Sequence, residues 1–94
     1  MITKENLSEV LKCLGFEKRG DIYSKHYEKV NCDIRIEKKK KKIEYPSNLD
    51  TGANTTTNFS QAENFVVLEC VNRLLEKGYL PETIFLEKSW TLGH

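Results

Sequence analysis

The chain has 94 residues and a formal net charge of +1, the scale of one small domain or of part of a larger protein, and so near-neutral a balance excludes any argument for a polyanionic or polycationic partner from bulk charge alone. No stretch is long or apolar enough to span a membrane, and Met1-Ile2-Thr3-Lys4-Glu5-Asn6 lacks the apolar core of a signal peptide, so a cytoplasmic protein without membrane contact is expected. The three cysteines, Cys13, Cys32 and Cys70, are odd in number, far apart and form no Cys-x-x-Cys pair, so reduced and mostly buried thiols are expected.

Leu7, Val10, Leu11 and Leu14 fall at i, i+3, i+4 and i+7, one stripe of an amphipathic helix. Thr3 fits its N-cap, Ile2 and Leu7 fit a hydrophobic staple across it, and Gly15 ends it with Phe16 folding back onto the last turn. So short a helix must dock its stripe on something. A three-stranded antiparallel meander is expected next. Asp21 to Tyr27 alternates loosely. Cys32 to Glu37 alternates cleanly, with Cys32, Ile34 and Ile36 on one face and Asp33, Arg35 and Glu37 on the other. Ile43 and Tyr45 give a short third strand closed by Pro46, with Gly20 and Asn31 near the turns.

Lys38, Lys39, Lys40, Lys41 and Lys42 form the strongest local charge run. Its functional reading is an electrostatic handle for the phosphate backbone of DNA. Its plainer reading, which composition favours, is a solvated hairpin tip that keeps an edge strand from pairing with other chains. Lysines without interleaved aromatics or arginines are poor readers of base edges. Residues 47–58 are polar and rich in Thr and Asn, and composition favours a mobile linker over a substrate-facing loop.

From Phe59 onward the chain reads as a helix, a tight exit and a strand. Ser60 with Glu63 fits a capping box. Eight of the eleven residues from Phe65 to Leu75 are apolar, so the helix is expected to be central and covered on more than one side. Arg73 and Lys77 suit the negative end of the helix, Gly78 its left-handed exit, and Pro81 blocks resumption. Ile84 to Trp90 has strand composition. The expected fold is therefore α+β: an N-terminal helix, an antiparallel meander, a long central helix and a C-terminal strand. One domain is expected over 1–94, with helix plus meander in 1–46, a connection in 47–58, and helix plus strand in 59–94.

No complete catalytic constellation is present. There is no phosphate-binding Gly-rich loop, and His26 and His94 are not at metal-ligand spacing with the cysteines. His26 reads as a surface or half-buried residue, and Trp90 as a core or interface residue. Glu63 and Glu69, six apart on one helix, are turned by roughly 600° and do not form a carboxylate pair.

A long string of residues, however, resembles a known family. It comprises Glu63-Asn64-Phe65-Val66-Val67, Glu69-Cys70-Val71, Arg73 to Tyr79, Pro81-Glu82, Ile84, Leu86-Glu87-Lys88, Trp90 and Leu92-Gly93-His94. Together with Thr55 to Ser60 and the opening Met1 to Phe16, it is similar to the N-terminal region of large bacterial type I-like restriction–modification proteins. These are restriction subunits or adenine-specific DNA methylases that carry an N-terminal nuclease domain. The resemblance covers nearly the whole chain and is strongest from Thr55 to His94. It implies a non-catalytic N-terminal segment of a longer polypeptide, bracing a nuclease core whose metal-binding Asp and Glu-x-Lys follow the point equivalent to His94. It implies Mg²⁺ and S-adenosylmethionine for the parent protein rather than for these residues, and DNA and the other restriction–modification parts as partners. Glu63, and after it Glu69, match the acidic residue that assists the metal site from the helix opening that core. The alternative expectation is a free-standing protein–protein interaction domain that uses the central helix and Trp90.

Overall fold

The computed structural model describes residues 2–3, 5–52 and 54–86. The first helix, α1, spans Leu7–Cys13. One turn ahead of it, the Thr3 hydroxyl accepts the Asn6 N–H at 3.2 Å while the Asn6 carboxamide oxygen accepts the Thr3 N–H at 2.6 Å. This reciprocal pair closes the turn before the helix, but the N-cap residue is Asn6 and not the expected Thr3, and it makes no side-chain cap. Leu7 and Leu11 are buried, with Val10 and Leu14 packed beside them. Gly15 takes φ +95°, its N–H bonds the Lys12 carbonyl, and the Phe16 N–H bonds the Leu11 carbonyl at 2.9 Å. Both bonds of a Schellman exit are thus present.

Four strands follow in sequential order, β1 (Glu17–Arg19), β2 (Ile22–Tyr27), β3 (Cys32–Glu37) and β4 (Lys42–Glu44), each antiparallel to its neighbour. The expected meander had three strands. The one it lacked, β1, is Glu-Lys-Arg, charged and exposed throughout, and is held by its pairing with β2. The positive φ at Gly20 and not at Asp21 suits the two-residue turn between them. Tyr23, Lys25 and Tyr27 share the inner face with Ile34, Ile36 and Ile43, while Ser24, His26, Asp33 and Arg35 lie on the outer face. Both helices pack on the inner face.

The connection 47–58 is not a loose linker. Leu49 is buried, the Ile43 N–H bonds the Thr57 carbonyl at 2.8 Å, and Lys42 bridges to Asn58 along the outer edge of β4. The amide of buried Asn64 lies 3.0 Å from the carbonyls of both Thr55 and Asn58.

The second helix, α2, spans Glu63–Glu76. The expected capping box is not formed. Ala62 is the N-cap residue and makes no side-chain cap, while the Ser60 hydroxyl and N–H both go to the Asn58 side chain. Coverage on more than one side is also overturned. Asn64, Phe65, Leu68, Val71, Asn72 and Leu75 make one buried stripe, while Val66, Cys70 and Arg73 are exposed. The apolar count misled because Val66 lies off the stripe, whereas the two asparagines lie on it. The exit repeats that of α1. Gly78 has φ +93°, and the N–H groups of Gly78 and Tyr79 bond the carbonyls of Leu75 and Leu74, each at 3.0 Å. After a 3₁₀ turn at Pro81–Thr83, Ile84 is buried and residues 84–86 pair in parallel with Asp50, not with the meander. The rest of the expected strand, with Trp90 and His94, lies outside the described residues.

A Cβ at Gly78 would meet only the Lys29 side chain, 3.6 Å away. Gly78→Ala is therefore expected to destabilise the fold through backbone conformation alone, by about 1–2 kcal/mol. Urea unfolding checks this, and an unchanged midpoint would show that the exit relaxes without strain.

Candidate functional site

The lysine run forms the β3–β4 turn, but its five members are not equivalent. The Lys38 N–H bonds the Asp21 carbonyl at 3.0 Å, and its ammonium donates to the Ser8 hydroxyl at 2.8 Å. Ser8 also accepts from the Tyr23 hydroxyl, so Lys38 is tied to both α1 and β2. Lys42 belongs to β4, where it pairs with Glu37 on one side and Asn58 on the other. Lys39, Lys40 and Lys41 project as the tip. Lys40 is 74% exposed and lies 3.8 Å from the Glu37 carboxylate. Neither Lys39 nor Lys41 has an ion-pair partner among the described residues. Lys40 and Lys41 form one wall of a groove of about 330 Å³ whose other lining is Asn58, Phe59 and Ser60.

Glu63 is the first residue of α2 and is exposed, whereas Glu69 is half-buried one and a half turns on, so the structure does not bring the two together. His26 is exposed on the outer sheet face with Nδ1 2.6 Å from the Asp33 carboxylate, a partner across the β2–β3 pairing. No hydroxyl or thiol among the described residues completes a nucleophile–base pair with it. The cysteines depart from expectation, Cys13 and Cys70 being exposed and Cys32 half-buried. Cys13 lies on the solvent side of α1 and Cys70 off the buried stripe of α2. Burial and then the Asp33 carboxylate push the Cys32 thiol up from its ordinary range. Among the described residues, no group of three or more His, Cys, Asp or Glu side chains is placed to hold a metal ion.

One polar cluster was not anticipated. The Lys25 side chain, only 12% exposed, turns inward between Tyr23 and Tyr27. Its ammonium donates to the Leu14 carbonyl at 2.5 Å, to the Asn72 carboxamide oxygen at 2.9 Å and to the Glu76 carboxylate at 2.7 Å. It also lies 5.1 Å from the centre of the Tyr27 ring and 5.9 Å from that of Phe16. The Tyr27 hydroxyl donates to the same Asn72 oxygen at 2.6 Å. Burial first, then the Glu76 carboxylate, pushes the Tyr27 phenol well above its ordinary value. The sequence signal was there. Tyr23, Lys25 and Tyr27 share one parity, and Asn72 falls on the apolar stripe of α2. All three ammonium protons are used within the fold, so the cluster is structural rather than reactive.

Tyr45 poses the reverse case, a buried hydroxyl with no hydrogen-bond partner among the described residues. Burial and nearby Cys70 push this phenol upward as well. Taken together, the arrangement offers exposed cations for an anionic partner and no assembled catalytic centre among the described residues. Comparison of the chain with protein-family models, with curated proteins and with solved structures found no match.

Lys25→Met removes the ammonium from three acceptors and is expected to destabilise the fold by about 2–4 kcal/mol. Glu76→Gln, at a position half exposed to water, is expected to cost less than about 1 kcal/mol. Chemical denaturation of both variants checks the ordering, and equal costs would contradict it.

The two tyrosines set a pH dependence. Their folded-state values lie above the ordinary 10.0, so above that pH the unfolded chain releases protons that the folded chain retains. Stability is expected to fall above about pH 10, by about 1.4 kcal/mol per pH unit for each such tyrosine. Tyr45→Phe loses no hydrogen bond, and it is expected to keep neutral-pH stability within about 1 kcal/mol while removing its share of that slope. Denaturation at pH 8, 10 and 11 reads both effects.

Proposed function

We propose that this chain is a non-catalytic N-terminal module of a type I-like restriction–modification enzyme and that it contacts DNA phosphates through the β3–β4 tip. The observation that carries the DNA contact is the exposure of Lys39, Lys40 and Lys41 on a turn whose base is fixed by Lys38 and Ser8. A lysine ammonium is a point charge on a flexible stem, suited to phosphate and indifferent to base sequence. The assignment to restriction–modification rests on the resemblance of Thr55 to His94 and of Met1 to Phe16 to that family.

On this reading the nuclease and methyltransferase chemistry belongs to the parent polypeptide, with Mg²⁺ and S-adenosylmethionine as its cofactors. Magnesium held by carboxylates would there activate water and offset charge on the leaving oxygen. Glu63 suits the assisting role, because it is exposed in the first turn of α2 and has no hydrogen bond or ion pair among the described residues. Glu69, half-buried, is less available. A cytoplasmic location belongs to the same proposal. No helix among the described residues is long and apolar enough to cross a membrane.

A second reading, a free-standing protein-interaction domain, is favoured by the exposure of Tyr79, Leu80 and Phe85, each at least half accessible.

The test is a titration of the chain with a random-sequence DNA duplex at 50 and 200 mM salt, beside a variant with Lys39, Lys40 and Lys41 all changed to Ser. Three phosphate contacts give a log–log salt slope of about −2.7 and an affinity loss of about 40-fold between the two salts. The variant is expected to lose binding while keeping its circular dichroism spectrum. No binding at 50 mM by the unmodified chain would reject the phosphate contact and leave the protein-interaction reading.

A further inference from the structure

The three hairpin turns of the sheet each contain one residue in the left-handed region. In the β1–β2 turn it is Gly20 at φ +62°, and in the β2–β3 turn it is Asn31 at φ +49°. In the β3–β4 turn it is Lys41 at φ +54°. Glycine has no Cβ to clash in this conformation, and asparagine tolerates it through local hydrogen bonding of its short side chain. Lysine has neither advantage. The third turn thus carries a backbone cost that the other two avoid.

Within the described fold the Lys41 N–H bonds the Lys38 carbonyl at 3.2 Å, a turn bond that glycine or asparagine would make equally, so it does not account for lysine at this position. Lys38 is held by Ser8, Lys42 is paired in β4, and Lys40 lies near Glu37, but the Lys41 ammonium has no hydrogen-bond or ion-pair partner among the described residues. A need for a soluble, non-pairing tip does not account for it either. Asparagine or glycine at 41 would relieve the backbone and leave four lysines to do that task. What position 41 adds is location, because with Lys40 it walls the groove whose other lining is Asn58, Phe59 and Ser60. The polar groups opposite are committed elsewhere. The Asn58 carboxamide oxygen accepts from the N–H and hydroxyl of Ser60 and from the Asn64 amide, and Phe59 is buried against Phe65. Of the groove's two ammonium groups, that of Lys41 has no partner among the described residues and that of Lys40 has only the 3.8 Å approach of the Glu37 carboxylate. Strain retained at an exposed, unpaired side chain is the usual mark of a contact made outside the fold.

We infer that Lys41 is the principal phosphate contact of the tip, seating one phosphate of the DNA backbone at the groove between the tip and Asn58–Ser60, with Lys40 as its second donor. This inference rests on the DNA-contact reading above and narrows it to one side chain. It makes the strained turn a trade of stability for binding.

The experiment compares Lys41→Asn with Lys39→Asn, which removes the same charge from an exposed tip position. Lys41→Asn is expected to raise the thermal midpoint by about 4 °C through relief of the positive φ. It is also expected to make the log–log salt slope for a random duplex shallower by about one unit. Lys39→Asn is expected to leave the midpoint unchanged and to weaken duplex binding less at 50 mM salt. If Lys41→Asn stabilises the chain but binds DNA as tightly as Lys39→Asn does, the assignment of Lys41 is overturned. Loss of binding in the triple Ser variant would then still uphold the broader reading. An unchanged midpoint in Lys41→Asn overturns the strain argument. If poly-glutamate displaces the duplex from the unmodified chain at equal charge concentration, what binds is general to anions and the commitment to DNA fails.

Discussion

A single ammonium group holds three elements of this fold in one arrangement. The Lys25 side chain leaves β2 on the inner face and donates to the carbonyl at the end of α1, to Asn72 in the middle of α2 and to Glu76 at its end. A charge so little exposed is costly unless its hydrogen bonds are made, and here all three donors are used while the Tyr27 and Phe16 rings flank it. Replacing all of its members together by apolar side chains of similar volume would fill the same space, unlike removal of Lys25 alone, so the cluster is weak ground for claiming net stability over an apolar core. What it supplies is selectivity of placement. A slide of α2 by one turn would take Asn72 from both Lys25 and Tyr27 and leave buried polar atoms unpaired.

The same logic recurs one level out. The two buried asparagines of α2 lie eight residues apart, and each gathers a different part of the chain. Asn72 gathers the sheet, and through Lys25 the end of α1. Asn64 gathers the connection through the carbonyls of Thr55 and Asn58. The apolar residues between them, Phe65, Leu68 and Val71, fill the core without specifying a register. In so small a domain, where only about 60–65% of the chain surface is buried, two polar anchors on one helix fix what a modest apolar core leaves undetermined.

Local rules were legible where the chain is local. The exits at Gly15 and Gly78 and the alternation of Cys32 to Glu37 depend on residues a few positions apart, and they stand as the sequence implies. The features that were not legible depend on partners distant in sequence. An all-charged strand such as β1 has no pattern of its own and exists because β2 supplies its hydrogen bonds. Ser60 fits a cap by spacing, yet Asn58 competes successfully for its hydroxyl. The connection looks loose by composition, yet Leu49, Asp50 and Thr57 each find partners elsewhere in the fold. As for the candidate site, the sequence located the lysine tip on a hairpin but could not sort its members. Only the fold shows that Lys38 is tied down, that Lys42 is paired, and that Lys41 pays for its place in the turn.

The edge of β4 links the tip to the helix that bears Glu63. Lys42 bridges Asn58 and Ile43 bonds Thr57, so the chain returns alongside β4 just before it enters α2. Lys41 and the start of α2 are about twenty residues apart in sequence, yet the groove joins the tip to Asn58–Ser60, the segment that leads into α2. On the proposed reading this has a mechanical consequence. A DNA backbone held at the groove would lie beside the segment that leads into the helix whose first residue, Glu63, is the one proposed to assist a metal site. A module without chemistry of its own would then still bear on catalysis, because the β4 edge fixes the backbone of the tip relative to the segment that enters α2. Backbone hydrogen bonds thus set where the Lys41 and Glu63 side chains start from, and only their own rotamers remain to be chosen when a phosphodiester is positioned.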